Sequence, residues 1–66
     1  MNDEYYYIKL KSFEYDTPDL FLIEGGFSPS PKGVRVFDDV DEAINVKKTI
    51  QEGHKSYGYK IEIERF

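Results

Sequence analysis

The chain has 66 residues and a net charge of −4, with no cysteine but six tyrosines and five phenylalanines. That length makes one domain, and a chain of roughly 60 residues buries only about 60% of the surface it exposes when unfolded, so aromatics must fill the core or a second subunit must help. The charge disfavours phosphate backbones and anionic bilayers, and no apolar run approaches the roughly 20 residues of a membrane helix.

Met1-Asn-Asp-Glu4 offers nothing to pack, so residues 1–4 are expected to be disordered. The segment has neither the basic nor the apolar region of a secretory leader, and with no cysteine it points to a cytoplasmic chain. From Tyr5 the chain alternates. Tyr6, Ile8 and Leu10 share one parity and Tyr5, Tyr7, Lys9 and Lys11 the other, the pattern of a half-buried strand. Glu14–Asp19 reads as a turn, because Pro18 fixes its own φ and the aspartates bond local backbone. Leu20–Glu24 is a second strand, with Leu20 and Leu22 inward. Residues 25–33 hold three glycines and two prolines and read as a long hairpin loop. Val34–Phe37 then gives a short third strand, Val34 and Val36 inward and Phe37 outward.

Asp39 stands three residues before Glu42, the spacing of a capping box, so a helix is expected from Val40. Its apolar arc holds Val40, Ala43, Ile44, Val46 and Ile50, and Gly53 closes it. The last ten residues alternate again, Tyr57, Tyr59, Ile61 and Ile63 against Gly58, Lys60, Glu62 and Glu64. The fold is therefore α+β: a four-stranded mixed sheet in the order β-β-β-α-β, with one helix packed on one face. A crossover helix would bring the fourth strand parallel to the first. Outward Lys9 and Lys11 complement outward Glu62 and Glu64, which favours sheet order 4-1-2-3 over 1-2-3-4.

The stretch Phe37-Asp-Asp-Val-Asp-Glu-Ala43 joins an aromatic strand end to an acidic cap and a short helix leading into an alternating strand. Over residues 34–66 the chain resembles very small proteins of unknown function carried by bacteriophages and prophages. The resemblance implies a genomic origin and a fold, and no activity.

No constellation supports catalysis. Asp38, Asp39, Asp41 and Glu42 gather the oxygens a hard cation wants, but acids at a helix start cap N–H groups and meet the dipole, and the glycine of a calcium loop is missing. His54 follows the helix-ending glycine with no nucleophile to serve, and fits capping or solvent exposure. Gly25-Gly26 lacks the Lys-Ser/Thr of a phosphate loop. No enzyme, cofactor or metal is expected. Ser28-Pro-Ser-Pro-Lys32 reads as a stiff connector rather than as a docking or phosphorylation segment. Tyr5 and Tyr7, opposite the core face, invite an interface, and with Phe27, Asp16 and Asp19 they form the candidate interaction surface. The expected function is a small non-catalytic protein-binding or accessory module. Its partner is another protein or a second copy, met through the uncovered sheet face or an edge strand. The competing reading is single-stranded nucleic acid stacked on Tyr5 and Tyr7 with Lys9 and Lys11 at phosphates, which the acidic balance opposes.

Overall fold

The computed structural model describes residues 4–53 and 58–66. Its elements are strands β1 (Tyr6–Ser12), β2 (Leu20–Ile23) and β3 (Gly26–Ser28), helix α1 (Val40–Glu52) and strand β4 (Tyr59–Arg65). The four strands make one antiparallel sheet in the order β3-β2-β1-β4, with α1 on one face, an α+β fold of β-β-β-α-β order. β4 lies beside β1, as the lysine and glutamate rows predict, and Lys9 stands opposite Glu62. Among the described residues no helix is long and apolar enough to cross a membrane.

The middle of the chain departs from the expected pattern. Residues 25–33 are not one long loop: Ile23 pairs with Gly26 across a two-residue turn, and Gly26–Ser28 forms β3. Gly25 makes that turn at φ 87, a left-handed conformation that glycine adopts without steric cost. Val34–Phe37 is not a full strand. It makes isolated bridges, Val34 to Ile23 and Phe37 to Tyr6, both antiparallel. Tyr6 and Phe37 exchange two backbone hydrogen bonds of 2.8 Å, and Arg35 N–H donates to Leu22 C=O at 2.8 Å. The segment thus enters where β1 and β2 diverge. This extra reversal explains why the sheet is antiparallel throughout rather than mixed. Running against β1, residues 34–37 leave at the end of the sheet where β1 begins. α1 climbs back over about 20 Å at 1.5 Å per residue, so β4 starts at the far end and descends.

The core consists of Ile8, Leu10, Leu22, Phe37, Ala43 and Ile61, with Leu20, Phe27, Val46, Ile50, Tyr59 and Ile63 packed around it. Ile8 and Leu10 are fully buried, as parity requires. The parity of the third run is inverted: Phe37 is 2% exposed and Val36 41%, because the bridge to Tyr6 turns the Phe37 ring under the helix. Ile44, expected inside, is 37% exposed.

α1 begins at Val40 as the acidic cap predicts, with Asp39 in extended backbone and its carboxylate accepting from Asp41 N–H at 2.9 Å. The reciprocal arm of the capping box is not made, and Glu42 instead lies 3.8 Å from Arg35. Gly53 ends the helix by donating its N–H to Ile50 C=O at 3.2 Å. Residues 1–3, His54 and Tyr57, where the last alternating run was expected to begin, lie outside the described residues, but Glu4 is anchored. It accepts from Arg65 at 2.6 Å and from the Tyr6 hydroxyl at 3.0 Å.

Candidate interaction face

With α1 over Ile8, Leu10 and Ile61, the opposite face of the sheet carries the other parity of every strand. The pairing Tyr7–Glu64, Lys9–Glu62 and Lys11–Lys60 places those side chains there, and Lys9–Phe21 adds Phe21. Phe66 N–H donates to Tyr5 C=O at 2.7 Å, which extends the ladder one step and brings Tyr5 and Phe66 onto the same face. Among the described residues no second layer covers it.

The face is divided along the strands. At the end where β1 begins, the Tyr7 ring lies 6.1 Å from Phe21 and meets Phe66 edge-on at 6.3 Å. These are contact distances for aromatic pairs, so Tyr7 is the buttressed centre of the cluster. Tyr5 and Phe66 remain 43% and 73% exposed around it. At the other end Lys9, Lys11 and Lys60 gather. Their charge is largely answered: Lys9 Nζ is 3.7 Å from Asp19 and faces Glu62, while Lys60 Nζ is 3.9 Å from Glu62.

The five candidate residues do not form one surface. Tyr5 and Tyr7 lie on the uncovered face. Phe27 does not: paired with Leu22 on β2, it points to the helix side and packs on the core beside Thr49, Ile50 and Gly53. Asp19 is half-buried and holds the fold, its carboxylate accepting from Ser12 N–H at 2.9 Å. Asp16 is exposed in the turn after β1, five or more residues along the strand from Tyr7 and so on the order of 17 Å away. Phe66, Phe21 and, by the parity of β2, Ile23 share the uncovered face with Tyr5 and Tyr7. The signal for Phe66 was present, since the even parity of β4 runs on from Lys60 through Glu64.

Comparison with family models, curated proteins and solved structures returns no match. The chemistry must therefore be read from this chain alone. Among the described residues no group of three or more acidic or imidazole side chains is placed to hold a metal ion. Glu4, Tyr6, Asp38, Asp39 and Val40 line an open cleft of about 560 Å³. Two of its three carboxylates are occupied locally, Asp39 as helix cap and Glu4 by Tyr6 and Arg65. The hydrogen bond to Glu4, with partial burial and that carboxylate's charge, raises the Tyr6 phenol above the ordinary tyrosine range. A proton held more tightly makes Tyr6 a poorer base, which fits a structural tie. The connector after β3 is internally bonded, with Ser28 Oγ accepting from Ser30 N–H and Ser30 Oγ from Lys32 N–H, each at 3.2 Å.

Proposed function

We propose that the chain is a small non-catalytic binding module, an accessory protein of a mobile genetic element of the kind its helix-entry segment resembles, acting through protein contact. The observation that carries this reading is the aromatic end of the uncovered sheet face. Tyr5 and Phe66 stand exposed around a Tyr7 ring already fixed by Phe21 and Phe66, so a partner meets large apolar area at little further loss of side-chain freedom. Glu62 and Glu64 flank the cluster, and the partner that fits is a protein surface offering apolar side chains framed by arginine or lysine.

Nucleic acid is the weaker reading. An open sheet with aromatics resembles a base-stacking platform, but such platforms pair their aromatics with a positive groove. Here the lysines sit at the far end of the sheet and two of the three lie within 4 Å of a carboxylate. The deciding experiment captures partners from lysate with wild-type protein and with a Tyr5→Ser/Phe66→Ser variant, then reconstitutes binding from purified components. A stoichiometric partner held by wild type and lost with the double variant is expected. Micromolar binding of single-stranded oligonucleotide that weakens steeply with salt overturns the reading, as does a partner held equally by both forms.

A further inference from the structure

The sheet ends on one side in β3, three residues long, and on the other in β4, seven residues long. Short edge strands resist pairing, whereas a long edge without proline or bulge is a template for another strand. β4 is such an edge: its register against β1 runs unbroken from Tyr6–Arg65 to Ser12–Tyr59. Phe66 N–H bonds to Tyr5 C=O and Phe13 N–H to Gly58 C=O. In an antiparallel ladder bonded pairs alternate, so Lys60, Glu62 and Glu64 direct their N–H and C=O groups to β1. Tyr59, Ile61, Ile63 and Arg65 direct theirs outward. Among the described residues nothing pairs with that row.

A second feature hangs over the same edge. Glu42 reaches Arg35, and Thr49, Ile50 and Gly53 lie beside Phe27, so that flank of α1 faces the β2–β3 side. At about 100° per residue the opposite flank carries Val40, Ile44, Lys47 and Gln51. This flank overlooks β4. Val40 and Ile44 are 40% and 37% exposed there, apolar side chains only partly covered by the rest of the chain.

We propose that β4 pairs antiparallel with β4 of a second copy of this chain, on a two-fold axis at Ile61, to make a continuous eight-stranded sheet. Charge selects the register. Centred on Ile61, Lys60 stands opposite Glu62 of the second copy, twice by symmetry, in the non-bonded positions where side chains approach most closely. The bonded pairs are then Ile61 with Ile61, and Tyr59 with Ile63, all from the outward row. Centring on Glu62 would set Lys60 opposite Glu64 twice but oppose Glu62 to itself at the axis, and centring on Ile63 would oppose Glu62 to Glu64 twice; the Ile61 centre alone of the three has no like-charge pair. With strands about 4.8 Å apart and each helix seated over β1 and β4, the helices come about 10 Å apart, the distance at which helices pack. Val40 and Ile44 of the two copies then cover one another. The contact leaves the aromatic face free and doubles it.

Sedimentation velocity at tens of micromolar tests the proposal. Wild type sediments as a dimer, while Lys60→Glu and Glu62→Lys each put like charges opposite and weaken the dimer about tenfold or more. Mixed in equal amounts, these two variants regain opposite charges at both pairs and form a heterodimer. Ile44→Asp, at a site already exposed, also dissociates the wild-type dimer. In unmodified protein the amides of Ile61 and Ile63 exchange slowly at high concentration and fast on dilution, whereas those of Glu62 and Glu64 stay slow at both. A wild-type monomer, a dimer indifferent to Lys60→Glu and Ile44→Asp, or variants that do not associate when mixed would each overturn it.

Discussion

Asp19 and Tyr6 show how single side chains hold this sheet together from its margins. Asp19 takes the Ser12 N–H that β2 is too short to meet, and faces Lys9 at 3.7 Å. Asp19→Ala leaves that N–H without its acceptor and should cost about 1 kcal/mol, read as a lower urea midpoint with unchanged slope. It should leave partner binding intact; a binding defect without a stability change would return Asp19 to the interaction surface. Tyr6 ties the start of β1 to Glu4, and its phenol is raised in the folded state. A raised pKa means that the protonated phenol favours folding. That contribution is full below the unfolded value, near 10, and disappears as pH rises through the higher folded one. Glu4→Ala should bring the Tyr6 titration down towards the ordinary range, followed by NMR of the tyrosine ring carbons; an unmoved titration would sever the link.

Among the elements, the two long strands were legible because alternation over seven residues leaves one solution. Ile8 and Leu10 of β1 and Tyr59, Ile61 and Ile63 of β4 face the helix as parity requires. The same parity put Tyr5 and Tyr7 on the uncovered face. The middle was not legible. Gly26-Phe-Ser28 is too short to show a period, and its glycines and following proline outweigh it locally, yet pairing with β2 makes it a strand and takes Phe27 inward. Val34–Phe37 has strand residues but only two bridges, and its extra pass reverses β4. Two contrasts follow. Phe37→Ala should cost about 3–5 kcal/mol, close to the whole stability of so small a domain, while Val36→Ala should stay within about 0.5 kcal/mol. Equal effects in thermal melts would contradict the inverted parity. Gly25→Ala meets no atom within 4 Å, so its cost is backbone strain alone, about 1 kcal/mol.

For the molecule as a whole, six buried apolar side chains among the described residues and no covalent staple make a thin core, to which the proposed association would add stability. If β4 pairs across a two-fold axis, unfolding also separates the two chains, so the melting temperature must depend on concentration. A tenfold increase in protein adds about 1.4 kcal/mol per dimer, shared by two chains, and in a domain this small that raises the midpoint by a few degrees. Lys60→Glu should flatten this dependence while leaving the midpoint at high dilution near that of wild type, because Lys60 is exposed and touches the core nowhere. Tyr5→Ser/Phe66→Ser should leave the dependence intact, since Tyr5 immediately precedes β1 and Phe66 follows β4, beyond the residues 59–63 that pair about the axis at Ile61. Calorimetric scans over two decades of concentration separate the cases. A midpoint independent of concentration in wild type would mean that the core is sufficient alone and that the outer edge of β4 stays unpaired.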